Sequence, residues 1–370
     1  MFVVVADDIT GAAEIAGVGL RYGLSVALDT VVTAKPSPSV DLWVVALNTR
    51  SMNGTEAVNS ITATLKALLN MGFTDVFKKT DSVLRGHVVA ELAAKRNILC
   101  KRRVLLSPAN PEGGRIIKNG IYYINGVPLD ETGFSKDPEF PAKTSSVKDL
   151  LGKDTLEQES ISIANAENAD NLLSIVQGAS KDTILAGSAA FFDAYLKSES
   201  LCKKSWAHTV FIKKALYICG SAFLKSHEAV EEVVKKGAGV VYISPLWLGD
   251  VHLLENLEKC TARLTNALNE GSAVLAVDLP TLGGKEAAMK LRNVVAQVAA
   301  KVLDKTNVDE LVIEGGASAF AVIEKLKVNR FLPVNEYAPG VVRMKVVDRP
   351  NMHLTIKPGS YDWVKELWPF

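Results

Sequence analysis

The chain opens with a short apolar run, FVVVA at residues 2–6, that breaks directly into two carboxylates, Asp7 and Asp8. A run this short and β-branched predicts a strand, and the small-residue stretch AAEIAGVGLRY at 12–22 predicts a helix after it. SVALD, DLWVVAL, DVFKK and RRVLLS repeat the strand signal. TEAVNSITATLKALLNMG and HVVAELAAKRN supply helical spacing between them. Such alternation predicts mostly parallel sheets flanked by helices. Residues 108–146 interrupt it with a Gly-, Pro- and Asn-rich segment. One hairpin is expected there, in GIYYINGVPL, turning near Asn125–Gly126. A segment so irregular is expected to line a site. SISIA and DTILAG then resume the alternation.

A polar, basic stretch at 197–213 marks a boundary, giving domains at 1–207 and 208–370. The second half starts with ALYICGSA and a helix from Phe223 to Lys236. GVVYIS, AVLAVD and ELVIEGG follow as strands, with helices near 253–269 and 284–303. The expected fold class is α/β, two domains with a ligand cleft between them.

Composition narrows the function. With 370 residues, 48% apolar and 22% charged, the chain is globular and long enough for two cores. A formal net charge of +1 argues against a nucleic-acid partner. No run suits a membrane span, and the N-terminus lacks a basic leader, so neither membrane attachment nor secretion is expected. Cys100, Cys202, Cys219 and Cys260 are scattered and read as reduced, mostly buried thiols of a cytoplasmic protein. The five histidines show no zinc spacing.

Chemistry concentrates where strands end. In open α/β sheets, ligands gather at the carboxyl ends of strands. ADDITGA, LNTRS, KKTDSVLRG and SPANPEGGR all stand there, offering Asp7, Asp8, Arg50, Lys78, Lys79, Asp81, Ser82, Arg85 and Arg115. Arg can grip a carboxylate bidentately and Asp accepts hydrogen bonds from hydroxyls, so the mixture suits a small polyhydroxylated anion. Plainer roles fit individual members. Asp8 or Thr10 suits an N-cap, Ser82 suits a cap for a helix beginning near Leu84, Arg115 suits a brace for the irregular segment, and His87 suits a helix start.

In the second half, CGSA, EGGASA and IKPGSY place glycines beside strands. EGG leading into a helix offers backbone N–H groups to a phosphate, with Ser221 and Lys357 as further donors. The same glycines also suit plain tight turns. No P-loop, dinucleotide fingerprint or GxSxG is present, and GVGLRYG at 17–23 reads as close helix packing.

Together, ADDITGAAE, TRS, KKTDSVLRGHVVAEL, PANPEGGR with GIYYINGVPLDETGFSKDP, AGSAAF, CGSA, EGGASA and KPGS resemble the four-carbon acid sugar kinase family over nearly the whole chain. The resemblance implies ATP- and Mg2+-dependent phosphorylation of the terminal hydroxyl of threonate, erythronate or 3-oxo-tetronate. It implies an acid-binding N-terminal domain that uses Asp7, Asp8, Arg50, Lys79, Thr80, Asp81, Ser82 and Arg85. It also implies nucleotide contacts from Ser221, Gly315, Gly316, Ala317, Ser318 and Gly359. Asn48, Ala317 and Ser318 depart from residues common in the family. One of Asp7, Asp8 and Asp81 is expected to accept or orient the hydroxyl proton, with Asp8 the first choice and Asp81 the second catalytic candidate, and Arg50 with Lys79 is the expected carboxylate clamp. Metal ligands and oligomeric state, a homodimer included, are open. A nicotinamide-dependent dehydrogenase of a hydroxy acid and a non-catalytic sugar-acid-binding protein are the rival readings.

Overall fold

The structure is a computed structural model, and it describes residues 1–137, 140–204, 214–220, 224–278, 284–359 and 361–370. The chain divides into two compact units, Met1–Trp206 and Ala207–Phe370.

The first unit alternates strand and helix: β1 (Phe2–Ala6), α1 (Ile9–Arg21), β2 (Val26–Asp29), β3 (Leu42–Ala46), α2 (Gly54–Asn70), β4 (Phe77–Lys79), α3 (Val88–Ile98) and β5 (Arg103–Ser107). A small meander follows: β6 (Arg115–Lys118), β7 (Ile121–Ile124) and β8 (Val127–Pro128). The unit closes with α4 (Val147–Leu151), α5 (Lys153–Gln158), β9 (Ile161–Ile163), α6 (Ala169–Gln177), β10 (Thr183–Gly187) and α7 (Ala189–Ser198). The main sheet runs β2-β3-β1-β4-β10-β5-β9 with every pair parallel.

Parallel strands covered on both faces must be apolar throughout, and β1 and β3 are buried almost end to end. Val3, Val5, Trp43 and Val45 pack against Ile61, Leu65 and Leu68 of α2. The one polar atom of the Trp43 ring donates to buried Asp29 at 2.9 Å. On α1, a Cβ at Gly19 would lie 2.6 Å from Leu42. Gly19 of GVGLRYG is thus a close-packing position, while Gly23, with φ 70°, belongs to the turn after α1.

Two features of this unit differ from expectation. The irregular segment carries two Asn–Gly turns, not one: Asn119–Gly120 joins β6 to β7 and Asn125–Gly126 joins β7 to β8. All four residues have positive φ, 50° and 78° in the first turn and 50° and 82° in the second, as a tight two-residue hairpin requires. The helix expected near Leu84 starts instead at Val88. Leu84 and Gly86 have φ of 63° and 88°, which no right-handed helix accommodates.

The second unit contains β11 (Ala215–Cys219), α8 (Leu224–Lys235), β12 (Gly239–Ile243), α9 (Leu253–Glu270), β13 (Ala273–Val277), α10 (Lys285–Lys305), β14 (Glu310–Glu314) and α11 (Gly316–Leu326). Then come β15 (Arg330–Ala338), β16 (Val341–Val346) and β17 (His353–Lys357). Its sheet runs β12-β13-β11-β14-β17-β16-β15. The first four strands and β17 are parallel, while β16 is antiparallel to both its neighbours. Tyr217 on β11 is fully buried beneath Trp363, Trp368 and Phe370.

Each unit is thus a mostly parallel sheet flanked by helices. Among the described residues no helix is long and apolar enough to cross a membrane. All four cysteines are unbonded, but the expectation that most are buried fails: Cys100 and Cys202 lie exposed in the turns after α3 and α7.

Candidate functional site

β1 delivers Asp7 and Asp8 to its carboxyl end, and β3, its neighbour, delivers Arg50 on the next turn. Leu47 N–H donates to the Ala6 carbonyl at 2.9 Å, which extends the ladder and fixes the two loops side by side. Arg50 then donates to Asp7 Oδ2 from Nε (3.0 Å) and Nη2 (2.8 Å) and to Asp8 Oδ2 from Nη1 (3.0 Å). Its Nη2 also stands 3.5 Å from Asp81 Oδ1, at the tip of β4 on the other side of β1.

Asp8 is also the N-cap of α1. Its Oδ1 accepts from Gly11 N–H at 2.8 Å, and its Oδ2 accepts from the Thr10 hydroxyl. Capping and the ion pair are therefore compatible uses of the same side chain. A Cβ on Gly11 would lie 2.9 Å from both Asp8 Oδ1 and Lys79 Nζ, so only glycine leaves room for that approach.

Asp81 is gripped by Arg85, with Nε to Oδ2 at 2.9 Å and Nη2 to Oδ1 at 3.1 Å, and Arg85 also reaches Asp137 at 3.2 Å. Ser82 is no helix cap; its hydroxyl accepts from Arg115 on β6. Buried Tyr122 on β7 donates to the Ser82 carbonyl at 2.7 Å, and the Phe134 ring lies beneath the guanidinium groups of Arg85 and Arg115. The irregular segment therefore clamps the 80–87 loop.

Successive residues of β4 point to opposite faces. Lys78 reaches Glu91 on α3 at 2.7 Å, and Lys79 reaches Glu14 on α1 at 3.2 Å. His87, at the start of α3, contacts the Met52 carbonyl at 2.8 Å through Nε2. Thr80 is buried, with its N–H donating to the Gly187 carbonyl at 2.9 Å.

Burial and partners set the charge of each acid. Burial opposes the charge on Asp8, but Arg50 and Lys79 outweigh it and hold the carboxyl below the ordinary aspartate range. Asp81 is held well below that range because Arg85 and Arg50 overcome its burial. Asp7 is pushed the other way, since burial exceeds the help from Arg50 and Lys78. Burial disfavours the Arg50 charge too, but Asp7, Asp8 and Asp81 keep it firmly protonated.

In the second unit, β11, β14 and β17 are adjacent, with Cys219 opposite Glu314 and Glu314 opposite Lys357. The turns carrying Gly220, Gly315–Gly316 and Gly359 therefore stand together at one sheet end. Gly315 has φ 92° and leads directly into α11, whose first turn holds Gly316, Ala317 and Ser318. A Cβ on Gly220 would lie 2.5 Å from Ser318 Oγ. Lys357, expected as a point charge for phosphate, is fully buried and paired with Glu314 at 2.7 Å. Ser221 lies outside the described residues.

Comparison with known proteins bears on this arrangement. Residues 2–226 match a sugar-binding N-terminal domain and residues 216–361 a nucleotide-binding C-terminal domain. The chain belongs to the four-carbon acid sugar kinase family. Within this family it is 25% identical to a 3-oxo-tetronate kinase of Actinobacillus succinogenes, over 98% of this chain and 96% of that one. It is 31% identical to a D-threonate kinase of Salmonella typhimurium over 40% of this chain and 36% of that one. A crystal structure of a Haemophilus influenzae protein shares the fold, with a TM-score of 0.70, 22% identity and 98% of both chains covered.

Sequence reasoning brought the kinase-family acid cluster together but missed its outer partners. Glu14, Glu91 and Glu314 each neutralise a lysine of the site. Their one sequence signal is an acid on an otherwise apolar helix face or strand, a position where an acid is rarely buried without a partner.

Proposed function

We propose that the protein is an ATP-dependent kinase that phosphorylates the terminal hydroxyl of a four-carbon sugar acid. The acid would bind within residues 1–207 and the nucleotide within 208–370. One observation carries this reading: three carboxylates and two guanidinium groups, delivered by three adjacent strand tips, form one continuous ion-pair chain.

Phosphoryl transfer depends on placing an in-line hydroxyl and offsetting spreading negative charge. Asp8 is the acceptor assigned to that hydroxyl. Its side chain is 11% exposed against 6% for Asp7 and 8% for Asp81, and it is held ionised. Asp81 positions Arg85, and Asp7 positions Arg50. The edges of Arg50 and Arg85, 15% and 29% exposed, are where the substrate carboxylate would be gripped, with Ser82 and Lys79 beside them.

The turns at Gly220, Gly315–Ser318 and Gly359 would receive the nucleotide phosphates, α11 presenting its N-terminal N–H groups. Among the described residues no three His, Cys, Asp or Glu side chains group to hold a metal. A magnesium ion that arrives on the nucleotide phosphates and keeps water ligands would need few protein carboxylates. Glu314, whose Oε2 is buried without a hydrogen-bond partner, is the carboxylate that would hold it. Magnesium would offset phosphate charge.

The reading is tested by ADP release across three-, four-, five- and six-carbon hydroxy acids. Release is expected with four-carbon acids. Release that is indifferent to the acid, or nicotinamide reduction in its place, would refute it.

A further inference from the structure

The matched nucleotide-binding domain ends at residue 361, and the chain beyond it folds back onto the second unit. The N–H groups of Leu367 and Trp368 both donate to the Val364 carbonyl at 3.0 Å, a tight turn that returns the tail on itself. That turn stacks Trp368 on Trp363, with ring centres 4.0 Å apart and planes 27° from parallel. Phe370 meets Trp368 edge-on at 5.0 Å, and both rings meet buried Tyr217.

Trp363 joins this cluster to the end of the sheet where the glycine turns stand. Lys357, the last residue of β17, has a wholly buried side chain. Its Nζ donates to Glu314 at 2.7 Å and to the Pro358 carbonyl at 3.1 Å, and it lies 4.8 Å from the centre of the Trp363 ring, over the ring face. A buried ammonium group with three protons needs more than two acceptors, and the electron-rich indole face supplies the rest. The Trp363 N–H is buried without a hydrogen-bond partner, so stacking and the cation hold this ring.

Lys357 and Glu314 stand directly before the glycine turns. Glu314 precedes Gly315–Gly316, and Lys357 precedes Pro358–Gly359. Gly315 N–H donates to the Lys357 carbonyl at 2.8 Å, which ties one turn to the other. Ser226 on α8 donates to the same Glu314 oxygen as Lys357, at 2.8 Å. With the indole gone, nothing on that side would hold the ammonium group against Glu314. Any displacement of Lys357 is then felt by both turns and leaves a buried carboxylate without its counter-charge.

We infer that Trp363 is a positioning residue of the nucleotide site: by covering Lys357 it holds the Lys357–Glu314 pair in place and so sets how tightly the nucleotide is bound. The inference rests on the reading of residues 208–370 as the nucleotide-binding part. Trp363 acts through Lys357 and does not itself touch the nucleotide.

The test is calorimetric titration of the full chain with ADP and magnesium, with no sugar acid present. Trp363→Leu fills space but offers no aromatic face, and should bind ADP at least about fivefold more weakly than the parent. Trp363→Phe keeps a smaller face and should recover part of that loss. Phe370→Leu loosens the same aromatic cluster without removing the Lys357 contact, and should bind ADP as the parent does. A merely structural role would weaken Trp363→Leu and Phe370→Leu alike. That result, or a folded Trp363→Leu protein that binds ADP as the parent does, overturns the inference and leaves the kinase reading standing. If Trp363→Leu fails to fold, Trp363→Phe decides against Phe370→Leu: weaker binding in the first alone supports the inference, and equal binding overturns it. A parent protein that binds no ADP refutes the nucleotide reading, and this inference with it.

Discussion

Arg50 holds Asp7 with two nitrogens on a single carboxylate oxygen, Nε at 3.0 Å and Nη2 at 2.8 Å, while its third nitrogen takes Asp8. One guanidinium thus pairs with two acids adjacent in the sequence and leans toward a third, Asp81. Replacing Arg50 by Ala would strand these buried charges. Loss of a buried partner typically destabilises by about 3–5 kcal/mol. Urea unfolding should register a loss of that order, with Arg50→Lys intermediate because a point charge cannot reproduce the fork. An Arg50→Ala protein as stable as the parent would show that the cluster is not held by this residue.

Asp8 and Gly11 make a pair of opposite tests. Asp8→Asn should lower kcat by about 10²–10⁴-fold with little change in KM, as removal of a proton acceptor does. Gly11→Ala should raise helix propensity by about 0.8–1.0 kcal/mol and still lower kcat, because the new methyl would crowd Asp8 and Lys79. Normal turnover in Gly11→Ala would mean that the close approach has no bearing on catalysis.

Acid stability follows from the same charges. Asp8 and Asp81 titrate below the ordinary aspartate value of 3.8 in the folded protein. Their stabilisation is present above that value and is lost as pH falls through the lower folded values. Asp7 is raised, so its contribution runs the other way: full below 3.8 and lost as pH rises through its folded value. Asp81→Asn should therefore flatten the acid limb of Tm against pH below about 4, where the unfolded aspartates titrate. An acid limb of unchanged steepness would contradict the assignment of a depressed carboxyl to Asp81.

In the second unit, Lys357→Met leaves Glu314 buried and uncompensated and should destabilise by about 3–5 kcal/mol. The double variant Glu314→Gln with Lys357→Met should recover part of that loss, since neither charge remains. Additive losses on chemical denaturation would mean that the two side chains do not act as a pair.

Much of this was legible because strand–helix alternation is written in local periodicity. FVVVA, DLWVVAL and ELVIEGG needed no tertiary knowledge to be read as strands, but strand order did not follow, since β1 pairs with β3 and β4 and β10 stands between β4 and β5. Among β15–β17, Pro333 and the polar Asn335–Glu336 pair obscure β15, whereas Val342-Arg343-Met344-Lys345-Val346 of β16 alternates strictly and carries a strand signal that the reading missed. The second Asn–Gly turn at 119–120 carried the same signal as the first but sat in a stretch that reads as irregular. At the site, Asp7, Asp8, Arg50 and Asp81 were found because they share strand ends. Glu91 and Glu314 were not, because their role exists only across the fold, opposite Lys78 and Lys357.

The most direct test is the mass of the acid recovered after the intact protein has been incubated with ATP, magnesium and each four-carbon sugar acid. The account predicts a monophosphate ester of one of these acids, formed in step with ADP. ADP that accumulates while every acid returns unmodified would contradict it.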